Sequence, residues 1–167
     1  MAEVSGSLTA VSGTGFSDLM AGFPSGVTVV STFGPDDVPQ GMTCTSMCSV
    51  SLTPPSLLVC IRRGSPTLAA ILARETFVVN LLNRRAQPVA ELFASGAPNR
   101  FERVRWRPGA AGPQLVADAA GIADCQVSDV VDTGDHVIVV GNVVGLVPPA
   151  DRPLLRGLRR YLEWPES

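Results

Sequence analysis

The sequence contains no lysine and only one histidine, and both scarcities limit the chemistry available to it. All 13 basic residues among the 167 are arginine, and the histidine is His136. Without lysine the chain can neither form a Schiff base nor supply the lysine of a phosphate-binding loop. One histidine excludes a histidine-rich metal site and catalysis by a histidine pair.

Charge and long apolar runs are also scarce. Charged residues make up 17% of the chain and the net charge is −2, which argues against nucleic acid as a partner. No apolar run approaches the length of a bilayer span, and residues 1–15 lack the basic and apolar segments of a signal peptide. These observations predict a cytoplasmic protein with no membrane partner.

The composition supports one folded domain. Apolar residues make up 46% of the chain, which is enough for a sizeable core. Residues 1–15 are rich in serine, glycine, threonine and alanine, so we expect a flexible N-terminal arm there and a single domain over 16–167.

The four cysteines are predicted to be buried structural thiols. They are Cys44, Cys48, Cys60 and Cys125. A chain with an adequate core does not need a disulfide framework, and the spacing of Cys44 and Cys48 is not that of a redox pair. A zinc site would need further cysteines or histidines nearby, which the sequence does not supply.

Periodicity and turn residues predict a mainly β protein. Strands are expected over 27–33, 57–61, 77–82, 123–131 and 136–147, and helices over 17–22, 66–73 and 86–93. Residues 100–115 should form an irregular excursion. Because strands and helices do not alternate regularly, the pattern favours a β-barrel with a few peripheral helices.

Three segments could carry a ligand. In the first, Arg62 and Arg63 precede Ser65, which suits the N-cap of a helix that begins at Pro66. Helix-terminal amides and arginines together suit a phosphate, although the local sequence alone favours an ordinary capped helix with two solvated arginines.

For each of the other two segments, taken alone, a structural role is favoured over a ligand-binding role. Residues 41–51 alternate small hydroxyl side chains with methionine and cysteine and carry no charge. They could hydrogen-bond the edge of a heteroaromatic ring, or form a strand with one wet face. His136 opens a strand directly after a turn, where it could orient a ligand or serve only as a turn residue.

The combination of these motifs in one order along the chain resembles the flavin reductase-like family of split β-barrels, the reductase components of two-component flavin monooxygenases. The resemblance runs from about Phe23 to Tyr161. It rests on Phe-Pro-Ser-Gly-Val-Thr-Val-Val at 23–30, Gly-Met-Thr-Cys-Thr-Ser at 41–46, Ser-Val-Ser-Leu-Thr-Pro-Pro at 49–55, Phe-Val-Val-Asn-Leu-Leu at 77–82, Asn-Arg-Phe at 99–101, Gly-Asp-His-Val-Ile-Val-Val-Gly at 134–141 and Arg-Arg-Tyr at 159–161.

This resemblance implies a Greek-key antiparallel split barrel and a set of cofactor-binding residues. The flavin-ring segment falls on Thr43, Cys44, Thr45, Ser46, Cys48 and Ser49. Phosphate or ribityl contacts fall on Arg63, Ser65 and Thr67, and Arg100 belongs to a matching motif that binds cofactor. His136 corresponds to a histidine near the nicotinamide, and Arg160 with Tyr161 to a tail segment near the same cofactor.

The implied activity is reduction of FMN or FAD by NADH or NADPH, with reduced flavin supplied to a partner monooxygenase. A homodimer is implied as well. Two alternatives stay open: another split-barrel flavin oxidase, and a non-catalytic flavin-binding or carrier protein. The carrier alternative is motivated by Cys44-Thr45, where the family often has Ala-Asn, and by Met47, where it often has an aromatic residue.

Overall fold

The computed structural model describes residues 7–8 and 10–164, with three α-helices and twelve β-strands over that part of the chain. The helices are α1 (Gly13–Ala21), α2 (Pro66–Arg74) and α3 (Gln87–Ala94). The strands are β1 (Ser25–Gly26), β2 (Thr28–Phe33), β3 (Pro39–Cys44), β4 (Met47–Leu52), β5 (Pro55–Arg62), β6 (Thr76–Leu82), β7 (Arg107–Pro108), β8 (Pro113–Gln114), β9 (Ala119–Thr133), β10 (His136–Val147), β11 (Leu154–Gly157) and β12 (Arg160–Glu163).

Seven of these strands form one antiparallel sheet in the order β3-β2-β6-β9-β10-β5-β4. The sheet curls until its two ends meet, because the chain passes directly from β3 at one edge to β4 at the other. The Cys60 amide on β5 donates a hydrogen bond of 2.9 Å to the Ser46 carbonyl beside that passage. The barrel is therefore closed at one point and split along the rest of the β3 edge.

The barrel interior is filled by alternate residues of its strands and by one face of α2. Val30, Val59 and Phe77 belong to this core together with Leu68 and Ile71 of the helix. All five are at most 5% exposed. The period-2 alternation of burial over residues 136–141 of β10 places one face of that part of the strand inside and the other outside.

A second core lies outside the barrel, beneath α3 and a small sheet. Val89, Ala90 and Phe93 of α3 pack with Val29 of β2 and Leu154 of β11. The small sheet has the order β1-β11-β12, and its β11–β12 hairpin brings the C-terminal segment against the barrel. This packing holds the hairpin residues in a fixed position next to the barrel split.

The prediction of a mainly β antiparallel barrel with peripheral helices is confirmed. The five predicted strands and the predicted helices over 66–73 and 86–93 occur with boundaries shifted by a few residues or fewer. Residues 154–163, for which the sequence predicts neither a strand nor a helix, form a hairpin. Residues 100–115 hold a short 3-10 helix at Arg100–Arg103 and the two-residue strands β7 and β8.

The N-terminal expectation needs a correction where it can be compared. Helix α1 begins at Gly13, so the last residues of the expected flexible arm are helical, and the helix starts before the predicted residue 17. Ser12 caps it, because its side-chain oxygen accepts a hydrogen bond of 3.0 Å from the Gly15 amide. Residues 1–6 and 9 of the expected arm lie outside the described residues.

Candidate functional site

The barrel split carries the centre of the predicted ring-binding segment. Thr45 and Ser46 lie between the end of β3 and the start of β4, where neither strand continues. A connection that leaves the barrel wall exposes side chains and backbone groups that a continuous ladder would occupy. The segment therefore provides hydroxyl groups at an opening of the barrel.

A cavity of about 510 Å³ lies over this connection, and we call it the split cavity. It has three walls: the β3–β4 connection with the start of β4, helix α1 with the residues after it, and the β11–β12 hairpin. Its lining includes Thr45, Ser46, Met47, Cys48, Phe16, Met20, Phe23, Arg156 and Arg159. The combination of small polar groups, apolar faces and two arginines suits a flat heteroaromatic ligand with an anionic tail.

Three residues of the predicted ring-binding segment do not line the split cavity. The Thr43 hydroxyl donates a hydrogen bond of 2.6 Å to the Ala90 carbonyl of α3, so it ties β3 to that helix. Cys44 is 4% exposed and belongs to the barrel core. Ser49 is exposed on β4, opposite Leu57 of β5.

The prediction that all four cysteines are buried is wrong for Cys48 and holds only in part for Cys60, which also lines the split cavity. All four thiols are free; Cys44 and Cys125 are buried, whereas Cys48 is exposed and Cys60 intermediate. Cys48 lies on β4, at an edge of the sheet, with its side chain at the split cavity rather than in the core. Burial raises the pKa of the Cys44 thiol to about 11 and, with a smaller contribution from Asp124, that of Cys125 to about 12.

Arg63 and His136 lie together at one end of the barrel. His136 begins β10 directly opposite Arg62 at the end of β5. The Arg63 guanidinium donates to the Gly134 carbonyl at 2.8 Å and pairs with Asp132 at 2.8 Å. Arg63 therefore joins the start of α2 to the β9–β10 turn that carries the histidine.

His136 has a carboxylate partner on the same turn. Its Nδ1 lies 2.9 Å from Oδ1 of Asp135, and the ring is partly exposed. The hydrogen bond to the histidine is the main reason why the pKa of Asp135 is lowered. Any stabilisation from this contact is present near neutral pH and is lost as the pH falls through the lowered pKa.

The helix start predicted at Ser65 and Pro66 is confirmed. Ser65 is the N-cap residue of α2 and Pro66 is its first helical residue, but the Ser65 hydroxyl makes no capping hydrogen bond. It donates instead toward the Met42 sulfur at 3.6 Å. Thr67 is 2% exposed, so its side chain belongs to the protein interior.

Arg160 and Tyr161 lie in a second cavity of about 670 Å³, which we call the tail cavity. Its lining consists of Gln87, Glu91, Ala94 and Ser95 from α3 and its C-terminal end, and of Arg156, Arg159, Arg160 and Tyr161 from the hairpin. Arg156 and Arg159 line both this cavity and the split cavity.

Arg156 was not singled out from the sequence, and neither were the α1 residues of the split cavity. The sequence signal for Arg156 is the concentration of arginines over 156–160. Its significance follows only from the hairpin, which brings these side chains together.

Arg100 lies apart from these groups. Its guanidinium carbon is 5.9 Å from the centre of the Phe93 ring, and it lines a third cavity of about 510 Å³ with Phe101 and Trp106. Desolvation lowers the pKa of this arginine. An arginine on aromatic surface suits an anionic or aromatic ligand, but no lining residue of this cavity is shared with the split cavity.

The described part of the chain contains neither a candidate metal site nor a membrane-spanning helix. Over residues 7–8 and 10–164 no group of three or more histidine, cysteine or acidic side chains is placed to hold a metal ion. In the same range, every helix is too short or too polar to span a membrane.

Comparison with known proteins gives the class. Residues 20–165 match the family described as flavin reductase like domain, so the chain belongs to that family. Its barrel, split as described above, is the fold of these reductases.

The individual relatives that match this chain are also flavin reductases. The chain is 46% identical over 159 residues to the flavin reductase (NADH) of Kitasatospora aureofaciens, covering 93% of this chain and 83% of that protein. It is 43% identical over 148 residues to the flavin reductase (NADPH) of Lentzea aerocolonigenes, covering 87% and 86%.

A solved structure extends the likeness to three dimensions. The chain superimposes on a nitrilotriacetate monooxygenase component B homologue from Mycobacterium thermoresistibile with a TM-score of 0.85. The two are 35% identical, and the alignment covers 91% of this chain and 86% of the other. The chain is an NAD(P)H-dependent flavin reductase.

Proposed function

We propose that FMN or FAD binds with its ring in the split cavity and receives hydride there from NADH or NADPH. The observation that carries this proposal is the cavity itself, which lies over the β3–β4 connection at the end of the barrel split. Thr45, Ser46 and Cys48 supply polar contacts, and apolar side chains of α1 supply a surface for a ring. The residues present therefore fit the flavin.

The bound cofactors supply the redox chemistry, which is transfer of a hydride from a reduced nicotinamide to a flavin. The protein must hold the two rings in contact and exclude bulk water from between them. Small side chains at Thr45 and Ser46 leave room for a ring, and the neighbouring α1 wall limits access from solvent. Because the cofactors supply the redox chemistry and the protein only positions them, the reaction requires no protein nucleophile.

The phosphate and ribityl contacts are proposed for Arg63 and Ser65 and, because the Thr67 side chain lies in the interior, for the backbone amide of Thr67, with a further cofactor contact at Arg100. Support comes from the start of α2, where the Ser65 side chain forms no capping hydrogen bond and the helix terminus carries a partial positive charge. Because Arg63 already bonds Gly134 and Asp132, it can add a ligand contact only with its remaining N–H groups.

His136 is proposed to orient the nicotinamide. Because Asp135 binds Nδ1, the Nε2 atom is the one left to contact a ligand. We expect His136→Ala to raise the KM for the nicotinamide about tenfold, as loss of one hydrogen bond would. Steady-state kinetics with both NADH and NADPH measures this.

Flavin affinity is the control for the His136→Ala variant, and we expect it to stay within about twofold of wild type because His136 is not among the residues that line the split cavity. His136→Gln should recover part of the loss, since its amide can still form a hydrogen bond. Unchanged turnover together with an unchanged KM for the nicotinamide would show that the histidine has no such role.

A flavin-dependent monooxygenase is the proposed recipient of the reduced flavin. Support comes from the monooxygenase component in Mycobacterium thermoresistibile that this chain resembles at 35% identity. The proposed setting is the cytoplasm. Reconstitution with an oxygenase encoded nearby tests the partnership: product should form only when reductase, flavin and reduced nicotinamide are all present.

A homodimer is also proposed, because apolar side chains are exposed on the outer face of the barrel. Val144 and Leu146 of β10 are 65% and 69% exposed, and Val50 and Leu52 of β4 are 52% and 90% exposed. Exposed apolar strand faces of this kind are typical of subunit interfaces.

Sedimentation equilibrium should give about twice the 17.5 kDa mass of one chain. Leu146→Asp should shift the protein toward monomer, because a buried carboxylate opposes association. Val116→Asp, at a 44% exposed position outside the barrel strands, is the matched control and should leave the mass unchanged. A wild-type monomer at micromolar concentration would contradict the proposal.

A further inference from the structure

The turn between β9 and β10 lies beyond the packed part of the barrel. It consists of Gly134 and Asp135, because the residues on either side of them pair with each other. Every residue over 128–135 is exposed, and Val137 is the first buried residue that follows. Because packing does not hold this end of the hairpin, polar contacts must fix the side chains that it carries.

Arg63, between β5 and α2, binds this end of the hairpin at three points. Its backbone amide donates a hydrogen bond of 2.9 Å to the Asp135 carbonyl, and its Nε atom donates one of 2.8 Å to the Gly134 carbonyl. Its Nη2 atom forms an ion pair of 2.8 Å with Oδ1 of Asp132. Asp132 therefore fixes the direction of the guanidinium that grips the turn.

The turn in its own right orients the ring of His136. The side chains of His136 and Asp135 are 43% and 87% exposed, so neither is held by packing. The contact of 2.9 Å between Nδ1 and Oδ1 of Asp135 sets the direction of the ring. Asp135 in turn depends on the backbone of the turn, which Arg63 holds at two carbonyls. A continuous chain of contacts thus leads from Asp132 to the imidazole.

We propose that Asp132 is a positioning residue for the nicotinamide. It holds Arg63 on the turn, and the turn directs Nε2 of His136 toward the ligand. Asp132 acts through the histidine and touches no cofactor itself. This inference rests on the proposed function, because it assumes that His136 orients the nicotinamide.

Replacement of Asp132 by asparagine is the first test. At saturating flavin, Asp132→Asn should raise the KM for NADH and NADPH about threefold with kcat unchanged, the usual scale for loss of an exposed ion pair. Asp132→Glu keeps the carboxylate and should stay within about twofold of wild type.

Asp129→Asn is the matched control, because it removes the same charge from the same strand. The Asp129 carboxylate accepts a hydrogen bond of 2.8 Å from the Val130 amide and pairs with no arginine among the described residues. We expect this variant to have the wild-type KM for both nicotinamides.

A double-mutant cycle with His136→Ala separates positioning from a direct effect of charge. In the His136→Ala background, Asp132→Asn should change the KM less than about 1.5-fold, because the side chain through which it acts is gone. Loss of charge alone would act in the opposite direction. The nicotinamide dinucleotides are anionic, so removal of a nearby carboxylate would lower the KM, and it would do so in both backgrounds.

The ring of His136 also gives a readout that does not depend on activity. It is the only histidine of the sequence, so its imidazole signals are unambiguous in untagged protein. At alkaline pH, long-range 1H–15N spectra of the wild type should show mainly the Nδ1–H tautomer, which the contact with Asp135 favours. Asp132→Asn should shift the tautomer populations toward those of free imidazole, and Asp129→Asn should leave them unchanged.

The inference is overturned if Asp132→Asn leaves the KM for the nicotinamide unchanged or lowers it, or if it raises that KM by the same factor with and without His136. An unchanged ring spectrum in Asp132→Asn would overturn it as well. Failure of the proposed function looks different: the spectrum would still respond to Asp132→Asn, but wild type would not oxidise a reduced nicotinamide when flavin is added. Circular dichroism of each variant confirms that its fold is intact.

Discussion

Replacement of Cys48 by tryptophan is expected to weaken flavin binding about 100-fold or more, a loss of roughly 3 kcal/mol. Cys48 lies on β4 at the wall of the split cavity, and its side chain is exposed rather than packed in the core. An indole at this position would occupy space that the proposed ring requires. Fluorescence titration with FMN and FAD measures the affinity.

The matched control for this position is Cys48→Ser, which keeps a small polar side chain and should bind flavin within about threefold of wild type. Because the side chain lies at the surface, we expect both variants to unfold close to the wild-type temperature. A tryptophan variant that folds and still binds flavin with wild-type affinity would show that the flavin ring lies elsewhere.

Replacement of Gly141 in β10 by alanine is expected to destabilise the barrel core. A Cβ atom at this position would lie 2.6 Å from the Phe77 ring and 3.0 Å from the Cβ atom of Cys125. Phe77 and Cys125 are both 0% exposed, so neither can move aside without disturbing the core. Gly141→Ala should therefore lower the free energy of unfolding by about 2 kcal/mol.

Gly145, four residues further along the same strand, is the control for this substitution. A Cβ atom there meets nothing closer than 3.7 Å, so Gly145→Ala should be neutral or slightly stabilising. Urea denaturation at one fixed protein concentration compares the two variants, since association would otherwise shift the apparent stability. Equal stabilities of the two variants would contradict the close packing of Gly141 against Phe77.

Local chemistry explains why parts of the site were predictable from sequence. The start of α2 follows from the N-cap preference of Ser65 and the fixed backbone angle of Pro66, which do not depend on the rest of the fold. The strand that begins at His136 follows from the preceding turn and the β-branched run after it.

Long-range contacts explain what was missed. The Arg63 partner Gly134 is 71 residues away in sequence, so its bond to the β9–β10 turn could not be anticipated. Helix α1 has glycine at 13 and 15, which disfavours a helix, and it is held partly by the ion pair of Asp18 with Arg159 and by the bond from the Leu158 amide to the Ala21 carbonyl.

The position of Arg156 also depends on tertiary structure. Its side chain reaches two cavities only because the β11–β12 hairpin folds back beside the barrel split. The sequence motif of the tail includes Arg160 and Tyr161 but does not include Arg156.

Reduction of flavin by a nicotinamide is the central claim, and a spectrophotometric assay tests it most directly. NADH or NADPH oxidation at 340 nm is followed with purified protein and with FMN, FAD or riboflavin added in turn. We expect oxidation that requires both protein and flavin. No flavin-dependent oxidation above background with any nicotinamide–flavin pair would contradict the account and favour a non-catalytic flavin-binding protein.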